Sequence, residues 1–417
     1  MILKNARYLD DTGKIIENDI EIKNKRIVRI AKDLSGDEII DLESKFLMPG
    51  LIDVHVHLRE PGYEDKETIK TGSLAAARGG FTRICAMPNT NPVIDSVEKL
   101  RDVEKIIEKD ACVKVHQIAA IHKDLTSSEL VDIKTMDAVA YSNDGKGVQS
   151  SDDMYWAMKE LKKHNKILIA HTEDESLLFD GVMHEGIKNK ELGLKGIMSV
   201  VESVQVARDI LLANETGVAY HICHVSTKES VELIRMAHRL NIDVSAEVTA
   251  HHLLLSEMDV LEDDAVYKMN PPLRGIEDQK ALLSAVQDRS INIIASDHAP
   301  HTKEEKSHGF NGSPFGIIGS ELSFPLLYTH LVLENKLSLF DLQELMSINP
   351  AKRFNFENSF IKEGMFADLA VFDLKSRRKS SLADLASKSH NTPFLNQELQ
   401  GYCDMTLVDG KIVWRRA

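Results

Sequence analysis

Two histidines two residues apart, His55 and His57 in LIDVHVHLREPG, are where this sequence first offers chemistry. On a strand, residues i and i+2 point to one face, so both imidazoles can converge on one ion. Alone, the pair is as consistent with two hydrogen-bonded core histidines as with a metal site, because short motifs recur by chance. Four further residues shift the balance. His171 ends a strand in KILIAHTED, His224 ends one in AYHICHVST, Asp297 follows INIIAS in SDHAPH, and Asp144 lies just past a fourth strand in AVAYSNDGKG. A polar group at the end of a buried strand needs a partner, and a shared metal is an economical one.

Six ligands exceed the three protein ligands plus water usual at one catalytic zinc, so the expected site holds two divalent cations. Their four positive charges approach balance with two carboxylates and a bridging hydroxide if one carboxylate bridges. Asp144 lies between the His55/His57 and His171/His224 pairs in chain order and is the expected bridge. Such a pair polarises a carbonyl and generates hydroxide at neutral pH. His221 and His224 are three apart and compete for one role; His224, nearer the strand end, is the expected ligand and His221 a structural residue. Of the adjacent His251 and His252 at most one can reach the site. His116 and His122 suit packing or surface positions.

These residues need a scaffold that brings strand ends together. Apolar runs that read as buried parallel strands occur at 51–57, 82–87, 113–119, 138–141, 167–171, 219–224, 243–248 and 291–296. Helix-like stretches at 66–78, 154–164, 202–213, 228–240 and 278–286 separate most of them. About eight such units match a β/α (TIM-like) barrel, whose active site lies at the C-terminal strand ends; no GxGxxG follows an early strand. Residues 1–49 read as short strands with a hairpin turn at Asn24 and Lys25, and are too few to stand alone. The C-terminal segment 355–417 carries two more strand runs, with a hairpin signal at Asp409 and Gly410. The expected organisation is a small β-sandwich domain formed by 1–49 and 355–417 around a catalytic barrel at 50–354.

Composition narrows the partners. The formal net charge of −14 over 417 residues, with no basic block beyond Arg415 and Arg416, argues against nucleic acid or an anionic membrane. No apolar stretch approaches the roughly 18–20 residues that span a bilayer. The N-terminus lacks signal-peptide order, and four scattered cysteines read as buried thiols. A cytoplasmic setting is expected.

At this point the chain resembles a known family, the bacterial class I dihydroorotases of the amidohydrolase superfamily, in its cyclic amidase group. The matching stretches are DVHVHLREPGYEDKETIKTG, GGFTRICAMPNTNPV, NDGKGVQ, HICHVSTKES, EVTAHHLLL, YKMNPPLRG, SDHAPHTKEEK and PFGIIGSE. HxH alone gives the superfamily; HLREPG with MPNT and NPPLR resembles dihydroorotase. The resemblance implies one zinc ion on His55, His57 and Asp297 and a second on His171 and His224. Asp144 bridges them where related enzymes use a carboxylated lysine. It implies substrate contacts by His57, Leu58, Arg59, Asn89, Asn270, His301 and the backbone of Phe315 and Gly316. Three departures are visible: NDG in place of two acidic residues, TAHH without the usual proline, and Thr172 for a common cysteine.

The implied activity is the reversible cyclisation of N-carbamoyl-L-aspartate to L-dihydroorotate in pyrimidine (UMP) biosynthesis. A metal-bridging hydroxide attacks the ring amide carbonyl, and Asp297 serves as general acid/base, ionised for opening and protonated for closure. Both reactants are anions in an acidic protein, so a local cationic clamp is required, and Arg59 can hold a carboxylate through two hydrogen bonds. Residues 300–316 read as a lid over the substrate. The rivals are another cyclic amidohydrolase (allantoinase or dihydropyrimidinase), which needs no Arg59, and a non-catalytic subunit, which should have lost ligands. The metal could equally be manganese or cobalt. A homodimer and an association with aspartate transcarbamoylase are compatible with the resemblance.

Overall fold

The computed structural model describes residues 1–357 and 360–416; residues 358, 359 and 417 of the C-terminal segment lie outside them. The chain begins with strands β1 (Ile2–Leu9), β2 (Ile15–Lys23), β3 (Arg26–Ala31), β4 (Ile39–Asp41) and β5 (Phe46–Pro49). Asn24 and Lys25 take φ of 51° and 69°, the paired left-handed geometry of a tight hairpin. At the other end come β14 (Leu369–Asp373), β15 (Tyr402–Val408) and β16 (Lys411–Arg415), with Asp409 and Gly410 turning at φ of 50° and 72°. β5 pairs antiparallel with β14, so both chain ends share one eight-stranded sheet. The expected joining of the termini is therefore observed.

Alternation along these strands gives the sheet two apolar faces. Leu47, Leu369, Val371 and Leu407 meet Leu3, Ile20 and Ile27 in a core enclosed by the two halves of the curled sheet. Phe46, Met48, Ala370 and Phe372 point the other way, into the main core of the molecule. Phe372 stacks on Phe324 with ring centres 4.0 Å apart. Gly80 makes this approach feasible: it ends a helix at φ 89°, and a Cβ there would lie 2.5 Å from the Phe372 ring.

The middle of the chain supplies eight parallel strands: β6 (Leu51–Val56), β7 (Phe81–Ala86), β8 (Lys114–Gln117), β9 (Ala140–Ser142), β10 (Ile167–Ala170), β11 (Ala219–Ile222), β12 (Val244–Thr249) and β13 (Ile293–Ala295). β6 to β8 form one ladder and β9 to β13 another. Parallel bridges Ala119–Tyr141 and Val56–His298 join the two ladders at both seams and close the barrel. Each of the eight expected apolar runs overlaps one of these strands, within two residues at either end. Helices fill the crossovers, including Val97–Asp110, capped by Ser96, whose charged outer face hides its periodicity in the sequence.

Inside, Ile52, Val54, Cys85, Ile118, Ile169, Cys223 and Ile293 pack together, and Ala351 and Phe354 contribute from the last helical turns. The neighbouring strand positions Ile84, Leu168, Tyr220 and Ile294 face the outer helices. Truncation of the sheet-to-barrel contact, Phe372→Ala, is expected to destabilise the protein by about 3–5 kcal/mol. Chemical denaturation should show the change as a lower midpoint.

Candidate metal centre and active site

The barrel brings the six expected ligands to one end. His57 follows β6, Asp144 follows β9, His171 follows β10, and His224 and Asp297 lie two residues past β11 and β13. Simple alternation does not place them all. Ile52 and Val54 pack in the inner cluster whereas Val56 and Leu58 pack in the outer one. The parity changes at a register shift, where the step from Asp53 to Val56 opposes the shorter step from Ile84 to Ala86. This bulge turns His55 and His57 inward. A different device serves β11. His221 and Cys223 hold the inward positions, and His224 departs from alternation at φ +28°. Asp297 (φ +45°) and Arg59 (φ +62°) share that left-handed geometry, which non-glycine residues adopt at a cost and which concentrates at functional sites.

Asp144 sits among all four imidazoles. Its Oδ1 lies 3.3 Å from His55 Nε2, 3.9 Å from His171 Nδ1 and 4.0 Å from His224 Nε2, and its Oδ2 lies 3.5 Å from His57 Nε2. Asp297 Oδ1 is 3.1 Å from His57 Nε2 and 3.5 Å from His55 Nε2. His171 Nδ1 and His224 Nε2 face each other at 3.0 Å, so a proton or a cation must stand between them. His55 and Asp144 are 0% and 2% exposed.

The charge balance points to a cation. Burial alone would raise the Asp144 carboxyl, but His55, His57 and His171 hold it well below the usual range. Burial likewise opposes ionisation of Glu247, yet His55 and His221 bring it to about 2. His55 rises well above the ordinary imidazole value against its burial, drawn up chiefly by Asp144. Burial, with His171 and His55 beside it, pushes His224 down to about 3. The carboxylates thus demand positive charge that the buried histidines can meet only by protonation. His55 Nε2 and Asp144 Oδ1 are buried without a hydrogen-bond partner, as open ligand atoms would be. The ligand atoms of His55, His57 and Asp297 lie within 4.8 Å of one another, as do those of His55, Asp144 and His224. These residues fit divalent metal. In a third grouping, His55 with Cys223 and Glu247, two of the three ligand atoms are already spent on each other, His55 Nδ1 bonding Glu247 Oε1 at 2.7 Å.

A cavity of about 220 Å³ opens over this cluster. His57, Asp144, His171, His224 and Asp297 form its floor, and Arg59, Asn89, Asn270, His301, Phe315 and Gly316 stand around it. Among the expected substrate contacts Leu58 differs: its side chain is buried in the outer core, with Cδ2 packed against Gly72. Parity explains this, since Leu58 faces opposite to His57. Arg59 Nε donates to the Pro300 carbonyl at 3.1 Å, and Nη2 lies 3.3 Å from His301 Nε2. Glu60 instead accepts from the amide of Ile69, so it does not compete for the guanidinium. Asn89 joins its Oδ1 to His57 Nδ1 at 3.0 Å and donates Nδ2 to Asp144 Oδ2 at 3.3 Å.

Glu247 is a residue that sequence reasoning missed. Its Oε1 is 2.7 Å from His55 Nδ1 and its Oε2 3.0 Å from His221 Nε2. It fixes the tautomer that leaves His55 Nε2 free to bind, and it gives His221 the structural role expected of it. The only signal was a carboxylate inside the apolar run that becomes β12. Glu173 was also passed over; it accepts from Asn270 Nδ2 at 2.6 Å. His251 and His252 are buried but do not line the cavity, and His116 stacks on Phe356 away from it. Glu247→Gln is expected to weaken divalent-metal affinity about 10- to 100-fold, measurable by chelator competition with elemental analysis.

Comparison with known proteins agrees with this geometry. Residues 44–230 match the family model described as dihydro-orotase-like. A dihydroorotase of Bacillus cytotoxicus is 49% identical over 420 aligned positions, covering 100% of this chain and 98% of its own. One from Staphylococcus epidermidis is 47% identical, covering 99% of both. Among solved structures, the L-hydantoinase (dihydropyrimidinase) of Arthrobacter aurescens superposes with a TM-score of 0.87 at 25% identity, over 99% of this chain and 95% of that one. A D-hydantoinase (dihydropyrimidinase) from Thermus sp. shares the fold, with a TM-score of 0.82. The barrel with its flanking β-sandwich is thus a cyclic-amidase architecture. At this identity over the full length, the chain belongs to the dihydroorotase family, whose members are metal-dependent hydrolases.

Proposed function

We propose that this enzyme interconverts N-carbamoyl-L-aspartate and L-dihydroorotate, as its relatives' name implies, using the cluster around Asp144. The observation that carries the reading is one carboxylate within 4.0 Å of four imidazoles, with a guanidinium in the lining of the same cavity. His55, His57 and Asp297 would hold one divalent ion, His171 and His224 a second, and Asp144 would bridge. Zinc is the expected metal. Such a pair, when bound, supplies Lewis acidity and a water ionised near neutral pH.

The chain's own residues do the rest. Arg59 pairs with the substrate carboxylate, and Asn89 and Asn270 add polar contacts. The Asp297 carboxylate takes the proton of the attacking water and hands it to the departing ring nitrogen. Closure runs the same path in reverse, with Asp297 carrying the proton from the carbamoyl nitrogen to the leaving oxygen. His55 and His57 hold the Asp297 carboxyl well below the usual carboxylate range against its burial, which favours the ionised form that accepts that proton. His301, whose Nε2 donates to the Phe315 carbonyl at 2.8 Å, ties the start of the 300–316 loop to its end and keeps that loop over the cavity.

The broader assignments belong to the same reading. The division into 1–49 with 355–417 and 50–354 is supported by the sheet that joins the termini. Residues 380–400 are the part of it that leaves the sheet and packs on the barrel, where Leu385, Phe394 and Leu399 meet Phe310 and Ile317. No helix among the described residues is long and apolar enough to cross a membrane. A cytosolic setting is supported by four unpaired cysteines. A homodimer, with or without aspartate transcarbamoylase, is supported by the exposed Val200, Val204 and Leu211 along one helix.

Turnover of dihydroorotate, hydantoin and allantoin on one metal-analysed sample tests the proposal. Activity confined to hydantoin or allantoin would sink it. Arg59→Met should raise KM for dihydroorotate by about 10- to 100-fold, the loss of a charge-assisted contact, with metal content unchanged. Asp297→Asn should lower kcat in both directions by about 10²–10⁴, and His301→Ala should impair turnover with metal intact.

A further inference from the structure

Two lysines that the reaction does not use lie buried behind the cavity wall. Lys268 is 4% exposed and Lys306 7%. Lys268 Nζ donates to the carbonyls of Phe310 and Ser313. Lys306 Nζ donates to the carbonyls of Lys268, Pro314 and Gly316 at 3.0, 2.9 and 3.0 Å. Among the described residues, every acceptor of these two ammonium groups is a neutral carbonyl. Buried charge without a counter-charge is unfavourable, and a neutral donor could tie the same loop. The carboxylates that act on the pair, Asp263 on Lys268 and Asp264 and Glu305 on Lys306, make no hydrogen bond with either ammonium group among the described residues, so the two buried cations still call for an anion.

The cavity is where one can arrive. Lys306 bonds directly to the carbonyl of Gly316, and Lys268 Nζ lies 4.2 Å from the centre of the Phe315 ring; both Phe315 and Gly316 line the cavity. That wall is fixed from a second side by Asn391, whose Nδ2 donates to the carbonyls of Gly316 and Ala299 while its Oδ1 accepts the His301 amide. The lysines stand directly behind the Phe315–Gly316 stretch of the cavity lining, in surroundings of low dielectric where charge acts strongly.

We infer that Lys268 and Lys306 form a buried cationic pair whose counter-ion is the substrate carboxylate, felt across the Phe315–Gly316 peptide without contact. The inference rests on the anionic substrate proposed above. Arg59 supplies hydrogen bonds and charge; the pair supplies charge alone and is a positioning element. The charged groups facing Lys306 are Lys268, Asp264 and Glu305. Burial first, then Lys268, push Lys306 down to about 7, against the two carboxylates. Raising the pH through that value removes positive charge, so substrate affinity should fall.

Steady-state kinetics with L-dihydroorotate on the metal-loaded enzyme test this, alongside thermal melting. K306M should raise KM roughly tenfold, the scale of a focused local field, with kcat within about twofold and melting little changed. K306Q, which keeps a donor but no charge, should match K306M. In both, the rise of KM above pH 7 expected of the unaltered enzyme should vanish. Inhibition by neutral dihydrouracil should be unaffected. Unchanged KM, recovery in K306Q, or kcat and melting temperature falling together would each overturn the inference, the last two by reducing the pair to a loop fastener. If K306M does not fold, K268M and the pH dependence of KM in the unaltered enzyme decide in the same way. An enzyme inactive on dihydroorotate overturns the functional reading itself; an active one with unaltered KM in the variants overturns this inference alone.

Discussion

The carboxylate of Asp144, buried among four imidazoles, is the interaction on which the rest of the molecule depends. Taking a carboxylate out of water is unfavourable unless opposite charge comes with it. Here the compensation must arrive from three other strands or their ends: His55 and His57 from β6, His171 from β10, His224 from β11. Asp297 and Glu247 then add negative charge, which raises the demand for a cation. A barrel answers this geometric problem because its parallel strands all end at one rim. An open sheet would spread the same six residues along a line.

The rim alone does not aim the side chains. His55 and His57 turn toward Asp144 and Asp297 only because the ladder slips between Asp53 and Val56. His224 faces the cavity only because its backbone turns at φ +28°. Both are departures from regular strand geometry, maintained by the packing around them. Glu247 then holds the ring of His55, and Asn89 holds that of His57. Strain and second-partner hydrogen bonds thus convert strand ends that are merely close into atoms that converge.

Much of this was legible in the sequence, for identifiable reasons. The eight strands stand out because barrel strands are buried on both sides and read as continuous apolar runs. The six metal-type residues stand out because each ends such a run. The bulge was not legible: LIDVHVHL alternates cleanly, and extrapolating that alternation through Asp53 would turn His55 outward. Leu58 was expected at the substrate through its place in the motif, and parity sends it to the outer core. Glu247 was hidden because one carboxylate within a strand does not reveal its partners, which lie 192 and 26 positions away.

Lys268 and Lys306 were illegible for a related reason. In YKMNPPLRG and HTKEEKSHGF they look like ordinary surface charges, and a polar, glycine-bearing loop gives no hint of burial. Folding bonds them to five carbonyl oxygens and, among the described residues, to no carboxylate. The rim of Asp144 and the loop of Lys306 are then complementary halves of one electrostatic problem. The metal cluster carries surplus negative ligands that attract cations, whereas the part of the lining that holds Arg59, with two lysines behind Phe315 and Gly316, carries surplus positive charge that attracts a carboxylate. A small molecule with a hydrolysable carbonyl at one end and a carboxylate at the other is oriented by that polarity before any specific hydrogen bond forms. The same polarity disfavours a neutral cyclic amide, which has nothing to offer the cationic wall.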